Sequence, residues 1–199
     1  MATSTFIKTI EKNVERKIEE LEPFWETFAK ENDRTVAITS VCLLDNVLEK
    51  LIQASYVKDS QVKSLFKNDH ILQSFFAKVN IAYFSGLIPK VIYHDLKLIC
   101  EIRNRFAHAV IADLRFTHET IAQRIGRFAL GPKTISELSE PRVKFITVIS
   151  QIVPLLQVFE QVLSKKRSSN LVELFEFDQE AFPGWLLTQS EIHNVLLKD

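Results

Sequence analysis

Glycine is scarce in this chain, four residues among 199, and proline adds only six more. An all-β sandwich or barrel needs turn chemistry every ~8–12 residues. A chain with so few turn formers is built mainly from helices. Its apolar residues repeat to match. Phe6, Ile7, Ile10, Val14, Ile18 and Leu21 fall three and four apart, with Glu11, Glu15, Glu19, Glu22, Lys8 and Lys12 on the outer face, which is the pattern of one amphipathic helix. Pro23 is expected to interrupt it, with Phe24, Trp25 and Phe28 continuing an apolar surface as far as Glu31-Asn32-Asp33. A second helix is expected from about Arg34 to Tyr56. Its stripe of Val36, Ile38, Val41, Leu44, Val47, Leu48, Leu51 and Ile52 is wide enough for a central position.

Val57 to Asp69 reads as a connection with one short helical turn around Val62, Leu65 and Phe66. The spacing then predicts a helix over 71–84, stopped by Ser85-Gly86. Its aromatic pairs, Phe75-Phe76 and Tyr83-Phe84, read as core residues or as a dimer face. Pro89 suits the first turn of a further helix carrying Val91, Ile92, Leu96, Ile99, Cys100, Ile102 and Phe106. Asp113 to Ile121 reads as a loop entering a short helix capped by Thr117, and Gly131-Pro132 ends that part. Ser139-Glu140-Pro141 opens a last long helix, Arg142 to about Lys166, which Pro154 should bend.

The expected fold is therefore all-α, a helical bundle of about six to eight helices. Residues 1–167 form the bundle domain. Residues 168–199, with Phe175, Phe177, Phe182 and Trp185, form a C-terminal amphipathic segment expected to pack on the bundle or on a partner.

Lys and Arg, 25 in all, balance 25 Asp and Glu. No net field draws in a polyanion, so nucleic-acid binding has no support from net charge and would need a local patch or a partner. Cys42 and Cys100 each lie within an apolar helical pattern and are expected as buried thiols rather than as a disulfide or metal ligands, in a reducing compartment. No signal-like apolar core follows Met1, and no run approaches the ~18–20 apolar residues of a membrane span. The expectation is a cytoplasmic protein without a membrane partner.

Four isolated glycines and scattered histidines assemble no phosphate-binding loop, no paired metal ligands and no nucleophile elbow. No cofactor or metal is expected. One local sequence stands out, Ile102-Arg103-Asn104-Arg105-Phe106-Ala107-His108, near the end of a predicted helix. At ~100° per residue, Asn104 and His108 share a face, whereas Arg103 and His108 point roughly 140° apart. Only a long reach or a frayed helix end would bring the last two together. An Arg, an Asn and a His in one cleft are what metal-free RNA cleavage needs: the imidazole moves the proton, the guanidinium steadies the phosphorane charge, and the amide holds either. Alternatively, Arg103 pairs with Glu101 or Asp95, while Asn104 and His108 bond the helix end and the following loop. Arg105, Arg115, Arg124 and Arg127 could join Arg103 in a basic binding patch, or form a solvated face with internal ion pairs. His70, His94, His118 and His193 read as surface or half-buried polar groups.

From Arg34 to about Leu130 the chain resembles the mannitol operon repressor (MltR) family. The resemblance rests on Val36 to Ile52, Val57-Lys58-Asp59, Val62-Lys63, Ala77-Lys78-Val79-Asn80-Ile81-Ala82-Tyr83, Gly86-Leu87-Ile88 and Tyr93 to Ile99. It implies an all-helical regulator of transcription that works through protein contacts at least as much as through DNA. Arg103-Asn104-(three residues)-His108 also resembles the signature of the HEPN superfamily, helical bundles that often dimerise with this motif at the cleft. Some of these are ribonucleases, whose Arg and His would map to Arg103 and His108 with Asn104 between them. The long first helix and the aromatic C-terminal segment depart from the repressor pattern. Three functions are thus in play: a non-enzymatic regulator acting as a homodimer on a protein partner, a HEPN-type metal-independent ribonuclease, and an antitoxin or immunity protein covering a toxin.

Overall fold

The computed structural model describes residues 2–56, 60–67, 71–109, 114–130 and 140–167. Among these there are seven helices and no strand: α1 (Ala2–Phe28), α2 (Asp33–Ser55), α3 (Ser60–Ser64), α4 (Phe75–Phe84), α5 (Lys90–His108), α6 (Glu119–Gly126) and α7 (Pro141–Arg167).

Asn32 starts the helix that organises the rest. Its side chain accepts a hydrogen bond from the Thr35 N–H at 2.9 Å, which satisfies one of the donors that a helix start leaves unpaired. From there α2 buries Val36, Ala37, Val41, Leu44, Val47, Leu48, Leu51 and Ile52 along one broad stripe. Ser40 lies in the same stripe and satisfies its hydroxyl by donating to the Val36 carbonyl at 2.6 Å. This stripe packs on α7, α5 and α4, while α1 lies on α7 and α6 bridges α5 and α7.

Polar ties set the directions of the helices. Arg142, in the first turn of α7, pairs with Asp33 at the start of α2 and donates to the carbonyls of Ala29, at 2.9 Å, and Glu31. The other Asp33 oxygen accepts the Phe116 N–H at 2.8 Å. With both starts together and their lengths packed, α2 and α7 run parallel. Arg34 donates to the carbonyl of Ala109, just past the end of α5, at 2.8 Å, so α5 runs antiparallel to α2. Beneath this end, Phe106, Phe116 and Phe145 are fully buried, with ring centroids 5.0 and 4.7 Å apart in succession.

At the opposite end, Lys78 of α4 is 2% exposed and pairs with both Asp45 and Glu49 of α2, each at 2.8 Å. Its ammonium also faces the Phe66 ring at 5.8 Å. Burial alone lowers the Lys78 pKa, but the hydrogen bonds to Asp45 and Glu49 more than reverse this and hold it above the ordinary lysine value.

Several expectations change in detail. Pro23 does not interrupt α1, which runs through it. The proline lies on the exposed side, and Trp25 and Phe28 beyond it continue the buried face begun by Ile10 and Val14. Helix α4 starts at Phe75 rather than at 71, because Ser74 caps it by accepting the Ala77 N–H at 3.1 Å. His118, not Thr117, is the residue before α6, and its side chain makes no capping bond. Phe75 is buried, but Phe76 and Phe84 are 46% and 73% exposed and are not core residues. Cys42 is exposed on the outer side of α2, and only Cys100 is buried. Helix α7 runs on through Pro154 and has the length and apolar content of a membrane span, contrary to the expectation from the sequence. Half of its apolar window is buried against neighbouring helices, as befits a core helix. Gly131-Pro132, His70, His193 and the segment 168–199 lie outside the described residues.

Candidate functional site on α5

Gly86, at φ +69°, takes the left-handed conformation that glycine favours and ends α4; Pro89 then precedes α5. The two halves of α5 treat their polar groups differently. In the first half, Asp95 is fully buried and accepts the N–H groups of Ala129 at 2.9 Å and Leu130 at 2.7 Å, with His94 Nδ1 at 3.0 Å. Burial pushes the Asp95 carboxyl above the ordinary carboxylate value, although these bonds oppose it. The carboxyl thereby pins the 128–130 segment to α5.

The second half carries the motif. Arg103 is half-buried, while Asn104, Arg105 and His108 are exposed. Asn104 directs its amide at the Cys100 sulfur, 3.9 Å away. Burial raises the pKa of that thiol even with Arg103 nearby, so it stays protonated. Glu101 is taken by Arg124 of α6 at 3.1 Å, and Arg124 also donates to the Thr120 carbonyl at 2.6 Å. An ion pair of Arg103 with Glu101 or Asp95 is therefore not formed, since both acids are engaged elsewhere. The carbonyl of Ala109 is held by Arg34, not by Asn104 or His108. Among the described residues Arg103, Arg105, His108 and Arg127 make no ion pair.

Helix α5 stays regular through His108. Five residues at ~100° each therefore leave Arg103 and His108 roughly 140° apart around the axis. Asn104 and His108 share a face. Arg105 and Arg127 are exposed, Arg124 is paired, and Arg115 is exposed on the loop leading to α6. The assembled feature is thus a cationic end of α5 flanked by α6, with an accessible imidazole. Among the described residues no group of three His, Cys, Asp or Glu stands ready to hold a metal. Sequence reasoning missed Arg34, Asp33 and Arg142. Their partners lie 75 to 113 residues away, and no local spacing announces them.

Helices, their order and the site on α5 together define an all-α bundle whose polar ties hold long helices in place. A family model described as the mannitol repressor matches residues 21–162, and the chain belongs to that family. The match is wider than the resemblance over 34–130 and takes in the end of α1 and most of α7. Among solved structures the chain is similar to one described as the X-ray structure of the MtlR-HPr complex from Escherichia coli. The identity is 21% over 77% of this chain and 99% of that one, with a TM-score of 0.47. No curated protein matches.

Proposed function

We propose that this protein is a cytoplasmic regulator that acts through contacts with a protein partner, as a helical homodimer, and is not an enzyme. Membership in the mannitol repressor family supports the regulatory part. The observation that carries the non-enzymatic part is the course of α5: it remains helical to His108, so Arg103 and His108 leave the rod roughly 140° apart. Helix geometry within one chain therefore does not itself assemble the pair for a concerted proton transfer.

A second reading, a HEPN-type ribonuclease, draws support from one observation. Arg105 and His108 are exposed, and together with Arg103 they make no ion pair among the described residues, so a phosphate could be met there if a second chain completed a cleft. No observation favours the toxin-covering role over these two. Affinity capture of the full chain from its native host, with identification of bound protein and bound RNA, separates the readings. The expected result is one stoichiometric protein partner and no enriched RNA. Enriched RNA without a protein partner would reject the proposal. Light scattering of the purified chain is expected to give twice its 23.0 kDa mass, and a monomer would remove the homodimer.

A further inference from the structure

The balanced charge of this chain hides an asymmetry. Residues 168–199 contain Glu173, Glu176, Asp178, Glu180, Glu191 and Asp199 against the single Lys198. Because the whole chain balances 25 cations with 25 anions, the first 167 residues hold five more Lys and Arg than Asp and Glu. The acids are also concentrated. Glu173, Glu176, Asp178 and Glu180 alternate with Leu174, Phe175, Phe177 and Phe182.

The bundle presents a face of complementary character. On α4, Phe76 and Phe84 are exposed, and Ile71 before it is 83% exposed. Single exposed apolar residues are ordinary, but Phe76 and Phe84, eight residues apart and therefore about 80° apart around one short helix and about 12 Å along it, line one outer side of α4. The Phe84 ring meets Tyr93 of α5 at 6.4 Å, and Tyr93 stacks on Tyr83 at 4.3 Å. Cations border it. Lys97 stands over the Tyr93 ring at 5.2 Å, and Lys90 is exposed at the first turn of α5. Neither lysine makes an ion pair among the described residues.

Position favours the same match. Parallel packing of α2 and α7 puts the end of α7 where α2 also finishes. The Lys78 pairs place α4 against that second half of α2, and antiparallel α5 begins there. The chain therefore passes Arg167 at the end of the bundle that carries the aromatic face. Residues 171–182 follow within fifteen positions, and even at the helical rise of ~1.5 Å per residue these span about 22 Å, comparable with the distance across two packed helices.

We propose that residues 171–182 dock on the α4–α5 face of their own bundle, with Phe175 and Phe177 against Phe76 and Phe84 and the intervening acids against Lys90 and Lys97. The contact joins apolar burial to charge pairing. It is independent of whether the protein is a regulator or a ribonuclease.

The test is zero-length carbodiimide cross-linking of the full chain, using an equal mixture of unlabelled and 15N-labelled protein read by mass spectrometry. Amide links from Glu173, Glu176, Asp178 or Glu180 to Lys90 or Lys97 are expected, joining peptides of like isotope only. Phe76→Ser with Phe84→Ser should cut their yield at least about tenfold, since even half-burial of two aromatic rings is worth more than one decade in a docking equilibrium. Phe175→Ser with Phe177→Ser, changed outside the described bundle, should do the same. Absence of these links, links that pair light with heavy chains, as when a second copy is the occupant, or yields unchanged in either double variant would each overturn the proposal.

Discussion

Asp95 and Arg103 lie on the same helix, eight residues apart, yet they meet opposite fates. Asp95 is fully buried, and its two oxygens accept two backbone N–H groups and face an imidazole. Arg103 is half-buried without an ion pair among the described residues, and the exposed Arg105 and His108 beyond it are equally open. The difference teaches how this fold divides its polar groups. A charge taken out of water must be matched by bonds or the fold is lost, so Asp95 and Lys78 are saturated by their neighbours. A charge left at the surface costs the fold little and remains available to something else. The first group builds the bundle and the second equips it.

The division leads to measurable consequences. The largest effect belongs to the core beside the motif. Phe106→Ala, removing a fully buried ring between α5 and Phe116, should destabilise the fold by about 3–5 kcal/mol. Urea unfolding followed by circular dichroism reads this directly. Asp95→Ala should cost about 2–4 kcal/mol, because the N–H groups of Ala129 and Leu130 lose their acceptor. A cost near zero would mean that the 128–130 segment is not held by Asp95. Lys78→Met should cost less, about 1–3 kcal/mol, since Asp45 and Glu49, left facing each other, are about a third exposed and can draw in water. His108→Ala, at the other extreme, should change stability by no more than about 0.5 kcal/mol. A large loss there would place His108 in the structural group.

Acid titration gives the same contrast a sign. The folded Asp95 carboxyl binds its proton more tightly than the unfolded one, whose ordinary value is 3.8. Its contribution is therefore fully present below that value and is lost as pH rises towards the folded pKa. Relative to Asp95→Asn, which does not titrate, the wild type should lose stability on going from acid to neutral pH, measured as the difference in urea midpoints. Lys78 is raised, so the stability it adds is present below the ordinary lysine value and disappears only as pH climbs through its higher folded value.

Much of the framework can be read from residue spacing alone. The stripe from Val36 to Ile52 gives the central helix, and Ser85-Gly86 gives the stop of α4, because both depend on neighbours within one or two turns. Pro23 misleads for a related reason. The local penalty of a proline in a helix is real, but the apolar face that continues through Trp25 and Phe28 outweighs it. Phe76 and Phe84 share the spacing of core residues and are exposed, since periodicity tells which residues share a face and not whether a neighbour covers it. The site divides in the same way. That Arg103 and His108 diverge follows from the rise and turn of a helix. That Glu101 serves Arg124, that Arg34 holds the carbonyl of Ala109, and that Asp33 joins Arg142 all depend on chain reversals between distant segments, for which the sequence carries no local mark.

The most direct measurement of the central claim, that the open groups on α5 serve contact and not catalysis, is incubation of the purified full chain with a mixed RNA pool in the presence of a metal chelator, alongside His108→Ala. Intact RNA is expected with both proteins. Degradation by the wild type that vanishes in the His108→Ala protein would contradict it.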